Sequence, residues 1–116
     1  MIFVIDSDEI MRTCVAKACG EEKIREFDNV LVAMNAISDG VLPDMIIMDV
    51  MLTGPDGFTF LNELISYDDT AKIPVVIVSE VDFGTKDLSV YGVVATLNKD
   101  TFRPKDIKEL VEMYAK

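Results

Sequence analysis

The sequence predicts an α/β fold of (βα)5 order, a three-layer sandwich with one parallel sheet between two helical layers. Short apolar runs of strand length alternate with segments of helical periodicity. The middle runs are apolar throughout, as strands are when helices cover both faces of a parallel sheet. The 116 residues fit one domain, and no linker, repeat or low-complexity stretch divides residues 1–116.

The predicted strands are Ile2–Ile5 and residues 44–48, 74–78 and 93–97, with 23–27 a weaker candidate. Met11, Cys14, Val15 and Ala18 follow helical spacing, and Gly20 stops that helix. Val30, Ala33, Met34 and Ile37 repeat the pattern up to Asp39-Gly40. Leu61, Leu64 and Ile65 mark a third helix after Asp56-Gly57. Ile107, Leu110, Val111 and Tyr114 mark the last, with Pro104 suited to its first turn. Residues 82–91 have room for a short helix but a poor pattern.

A net charge of −10 argues against nucleic acid or an anionic membrane as partner. The apolar runs are far too short to span a bilayer, and the start lacks the basic and long apolar regions of a signal peptide, so a cytoplasmic location is expected. Cys14 and Cys19 are spaced for neither zinc nor a local disulfide and read as reduced structural residues. The chain has no histidine, which excludes Ser-His and Cys-His catalysis. Any phosphohistidine chemistry must come from another protein.

In open α/β sheets, ligands bind beyond the carboxyl ends of the strands. Asp6-Ser7-Asp8, Asp49, Ser79 and Lys99 all stand there. Two carboxylates held close repel each other, and a hard divalent cation such as Mg2+ relieves this through oxygen ligands. A carboxylate can attack phosphorus to give an acyl phosphate, and a lysine and a hydroxyl can bind the transferred oxygens.

The runs Phe3-Val4-Ile5-Asp6 and Pro43-Asp44-Met45-Ile46-Ile47-Met48-Asp49 resemble response-regulator receiver domains of the two-component type. So do Gly57 eight residues after Asp49, the run Pro74-Val75-Val76-Ile77-Val78-Ser79, and Gly92 before a strand leading to Lys99. The resemblance covers essentially the whole chain. It implies a flavodoxin-like fold with sheet order 2-1-3-4-5. It implies Asp49 as phosphoacceptor, with Ser79 following the phosphoryl group and Lys99 pairing with it. Mg2+ would be held by Asp6, Asp49 and the Met51 backbone carbonyl, with Ser7 or Asp8 joining through a water. The phosphoryl donor would be a histidine kinase or histidine phosphotransfer protein. The output would reach a downstream protein through the face of the fourth helical segment, fifth strand and last helix. Such a chain is a self-phosphorylating signalling domain rather than a turnover enzyme.

The chain also departs from that family. Ser7 stands where a second acid normally ligates the metal, so metal affinity should fall. Asp8 is expected to cap the first helix in preference to reaching the metal through water. Thr53 replaces a frequent proline, and Pro55 lies two further on. Glu80 replaces a small residue and would repel a phosphoryl group unless it points outward. Thr96 replaces the aromatic switch residue, and Asp100 the proline after the lysine. Met51 and Val81 would flank the attacking water without orienting it.

Two other readings follow. One is a phosphorylation-independent, receiver-like interaction module, favoured by Ser7, Glu80 and Thr96. The other is a phosphatase, because Ile5-Asp6-Ser7-Asp8 resembles the strand and Asp-x-Asp of the haloacid dehalogenase superfamily, with Asp6 as nucleophile and Asp8 as general acid.

Overall fold

The computed structural model describes residues 1–20, 22–51, 57–81, 83–84 and 87–115. The elements run β1 (Ile2–Ile5), α1 (Glu9–Ala18), β2 (Ile24–Phe27), α2 (Val30–Ser38), β3 (Met45–Met48), α3 (Gly57–Ile65), α4 (Asp68–Ala71), β4 (Val75–Ser79), β5 (Val93–Asn98) and α5 (Pro104–Tyr114). All strand pairs are parallel, and the order is β2-β1-β3-β4-β5, as the resemblance implied.

Every residue of β1, β3 and β4 is buried, which accounts for their unbroken apolar sequences. Alternate side chains serve opposite faces. Phe3, Ile5, Ile46, Met48, Val75 and Ile77 join α2 and α3 in one core. Ile2, Val4, Met45, Ile47, Val76 and Val78 join α1 and α5 in the other. The edge strands are partly exposed, which is why β2 gave the weaker signal.

The helix stops are where the sequence put them. Gly20 and Gly40 follow α1 and α2 with φ of 75° and 95°, which glycine adopts without a Cβ penalty. Pro104 opens α5, and the Asp106 carboxylate accepts a bond from the Arg103 amide before it. Cys19 is buried, and burial, followed by Glu22, pushes its thiol up to about 11. Cys14 is exposed, so only one of the two cysteines serves the core.

Two features differ from the sequence expectation. The single-turn helix α4 was not foreseen. Its buried Thr70 donates to the carbonyl oxygens of Leu64 and Tyr67, an arrangement without periodic signature. Between β4 and β5, the described residues form only a 3-10 turn, Ser89–Tyr91, in place of a fourth crossover α-helix. Phe58 of α3 packs edge-on against Phe83 and Tyr91, so an aromatic cluster anchors that segment. The fourth helical segment named in the expected output face is a 3-10 turn here among the described residues. Thr53, Pro55, Asp56 and Asp82 lie outside the described residues.

Gly57 begins α3 hard against the strand that leads to Asp49. Its amide bonds the Val50 carbonyl, and a Cβ would lie 2.5 Å from Val50 Cα. Gly57→Ala should therefore destabilise the fold by about 1–3 kcal/mol through overpacking. Helix propensity alone predicts a gain instead. Urea denaturation distinguishes the two signs.

Candidate functional site

The sheet order makes the site. After β1 the chain turns to β2 on one side, then returns to place β3 on the other, so a crevice opens beyond the ends of β1 and β3. Asp6 and Asp49 are the first residues past those two strands. Their amides extend the ladder, Asp6 bonding the Phe27 carbonyl and Asp49 the Ile5 carbonyl. Both residues are buried, at 4% and 5% exposure.

Lys99 follows β5 directly, and its ammonium lies between the two carboxylates. Nζ is 2.7 Å from Asp49 Oδ2 and 3.0 Å from Asp6 Oδ2. The remaining oxygens accept backbone amides, Asp6 Oδ1 from Asp8 at 2.9 Å and Asp49 Oδ1 from Met51 at 3.0 Å. Ser79 ends β4 fully buried. Its carbonyl accepts the Lys99 amide, and its Oγ accepts the Val81 amide. Asp6, Asp49 and Lys99 thus meet through their side chains, and Ser79 is tied to Lys99 through the backbone.

Burial works against the charge on Lys99, but hydrogen bonds and Coulomb attraction from Asp49 and Asp6 outweigh it and raise its pKa above 10.5. The ammonium is thus held charged at any ordinary pH.

The neighbours resolve several expectations. Asp8 Oδ1 accepts from the amides of Ile10 and Met11, so this acid caps α1. Ser7 is exposed. Glu80 is also exposed, unlike the buried Ser79 beside it, which meets the condition for an acid next to the site. Thr96 is exposed on β5 and lines a shallow groove with Asp87, Ser89 and Val94. Met51 and Val81 are both exposed, at 66% and 38%.

Arg12 was not anticipated. It donates to the Asp6 carbonyl at 2.8 Å and pairs with Glu26 of β2 at 3.3 Å. It pins the end of β1 from below, and a single arginine on a helix carries no sequence signal for that contact.

The carboxylates and a backbone carbonyl are hard oxygen donors of the kind Mg2+ prefers. Among the described residues, however, no group of three acidic, cysteine or histidine side chains gathers around one point. The donor set fits Mg2+ in kind but is one carboxylate short of the family's usual number.

The family model for the response regulator receiver domain matches residues 2–112. The chain belongs to this family. Over 41 residues, 35% of the chain, the receiver is 46% identical to the response regulator PleD of Caulobacter vibrioides, a match covering 9% of that protein. The receiver fold superposes on chemotaxis response regulator CheY4 of Vibrio cholerae with a TM-score of 0.81 at 16% identity, over 97% of this chain and 95% of that one. It superposes on the Mn2+-bound form of response regulator Rcp1 with a TM-score of 0.73 at 20% identity, over 97% and 88%. At these identities the superpositions show the fold. The family match over nearly the whole receiver displaces the phosphatase reading, and Asp8, its would-be general acid, is a helix cap.

Replacing the central cation leaves two buried carboxylates facing one another. Lys99→Met should cost about 3–5 kcal/mol, as breaking a buried ion pair does. A pKa raised on folding stabilises fully below the unfolded value near 10.5 and ceases to do so as pH rises through the folded value. The wild-type advantage over Lys99→Met should therefore be flat from neutral pH to about that point, then shrink. Urea midpoints across the alkaline range measure it.

Proposed function

We propose that this receiver accepts a phosphoryl group on Asp49 from a histidine kinase or histidine phosphotransfer protein and signals to a partner protein. The observation that carries the reading is the Lys99 ammonium set 2.7 Å from the Asp49 carboxylate at the mouth of the β1–β3 crevice.

In the proposed reaction, an Asp49 carboxylate oxygen attacks the phosphorus of a donor phosphohistidine. A P–O bond forms, the P–N bond breaks, and its electron pair leaves on the donor imidazole, which takes up a proton. The phosphohistidine must lie outside these 116 residues, which contain no histidine. Lys99 would shift from carboxylate to transferred oxygens, placing its charge where negative charge accumulates. The Ser79 hydroxyl would turn from the Val81 amide to a phosphoryl oxygen, drawing the 79–81 backbone with it. Mg2+, where bound, would be held by Asp6, Asp49 and the Met51 carbonyl, and supplies charge neutralisation.

Reception and output would occupy different parts of the molecule. The output surface would comprise β5, α5 and the Ser89–Tyr91 turn, where Val90, Val94 and Met113 are exposed. The acidic charge and the lack of any helix long and apolar enough to cross a membrane among the described residues agree with a protein partner in the cytoplasm. The proposed domain spans residues 1–116.

A second reading, a receiver-like module whose binding is independent of phosphorylation, is favoured by the clamp itself. All four carboxylate oxygens of the Asp6–Asp49 pair already have partners. In both readings the partner surface is the same, and only the switch differs.

Incubation with acetyl phosphate and Mg2+, followed by mass spectrometry, should give one phosphoryl adduct that is absent from Asp49→Ala. An adduct that survives in the variant would move the chemistry elsewhere, and none in either protein would favour the phosphorylation-independent module. In this reading Met51 and Val81 would flank the path of the attacking water with apolar side chains that offer no hydrogen bond to orient it. The adduct should accordingly persist for minutes. Decay within seconds after donor removal would contradict that role.

A further inference from the structure

We propose that the groove between α1 and the start of α5 is a binding site for a small amphipathic anion, an apolar body that carries one carboxylate. The inference goes beyond the receiver reading and does not depend on it.

The groove has the size and the walls of a ligand site. Its volume is about 490 Å3, inside the range of roughly 300–1,000 Å3 that small-molecule sites occupy. One wall is α1, through Met11, Cys14 and Ala18, which share a face by their helical spacing. The other is the segment that enters α5, through Phe102 and Pro104. Met11, Ala18 and Phe102 are each half-buried and pack inward on the core around Val15 and Ile107. Their outer surfaces are left to the groove. An apolar body laid there would take those surfaces out of water, which is the source of its affinity.

The second wall is fixed before any ligand arrives. The Phe102 amide bonds the Asn98 carbonyl, and the Asp106 carboxylate holds the Arg103 amide at the mouth of α5. A wall already in place spares the ligand the cost of ordering it.

Charge sets the sign of the ligand. The chain has 21 acidic residues against 11 basic ones, yet the lining of this groove holds two lysines and no acid. The Lys99 ammonium is engaged by Asp6 and Asp49, so its aliphatic stem is what it offers. Lys17 stands exposed in the last turn of α1 and has no ion-pair partner among the described residues. A carboxylate on the ligand would meet this ammonium at the rim while the body lies between the apolar walls. A cationic ligand would be repelled there, and a neutral one would leave the lysine unused.

Octanoate is the probe, with octanamide as its neutral counterpart, each titrated into the isotope-labelled full chain and followed by NMR of the backbone amides. Octanoate should give saturable shifts along α1 and the start of α5, with a dissociation constant below about 1 mM. Octanamide should bind about threefold more weakly, as fits one exposed ion pair. Lys17→Gln should bring octanoate down to the level of octanamide and leave octanamide unchanged. Cys14→Phe, at an exposed position, fills the groove and should abolish the shifts from both. A groove reserved for a protein segment would show no saturation, and that result overturns the proposal. Shifts that persist in Cys14→Phe, or octanamide binding as tightly as octanoate, overturn it as well. If circular dichroism shows that Cys14→Phe does not fold, Lys17→Gln decides: a loss confined to octanoate supports the proposal, and no loss overturns it.

Discussion

The ion bridge from Asp6 through Lys99 to Asp49 is the constraint on which the carboxyl edge of the sheet depends. Parallel pairing of β1 and β3 puts two acids side by side just beyond the strand ends, almost out of water. Left alone they repel, and the sheet order that creates the crevice would be penalised for it. The neutralising group comes from β5, two strand spacings from β3, or roughly 10 Å. Lysine is long enough to cross that distance. The strand it must pass, β4, ends in the small and fully buried Ser79. A cation on the far edge, a small residue in the middle and two acids at the switch point are parts of one geometric solution.

That solution accounts for how much could be read from the sequence. β1, β3 and β4 were legible because burial on both faces leaves no polar residue to interrupt them. The helix ends at Gly20 and Gly40 were legible because a positive φ calls for glycine. Asp8 was legible as a cap because an acid two and three residues ahead of free helix amides has an obvious partner. The four strand-end positions could be named, but only coordinates show that Asp6, Lys99 and Asp49 share one bridge while Ser79 joins it through the backbone.

What could not be read has physical reasons too. The short helix α4 is stabilised by Thr70 bonding carbonyls of preceding residues, so no apolar period marks it. Arg12 acts through its reach to a backbone carbonyl and to Glu26, contacts that depend on how α1 crosses β1 and β2. The segment between β4 and β5 has too few periodic apolar residues for a crossover helix. The Phe58, Phe83 and Tyr91 rings anchor it instead, through contacts distant in sequence.

The central claim is that Asp49 and Lys99 are energetically coupled in the resting protein. A double-mutant cycle of Asp49→Asn and Lys99→Met, read by urea unfolding at neutral pH, tests it most directly. The account predicts a coupling energy of at least about 1 kcal/mol, within the range for contacting residues. Single-variant effects that simply add, to within about 0.3–0.5 kcal/mol, would contradict it.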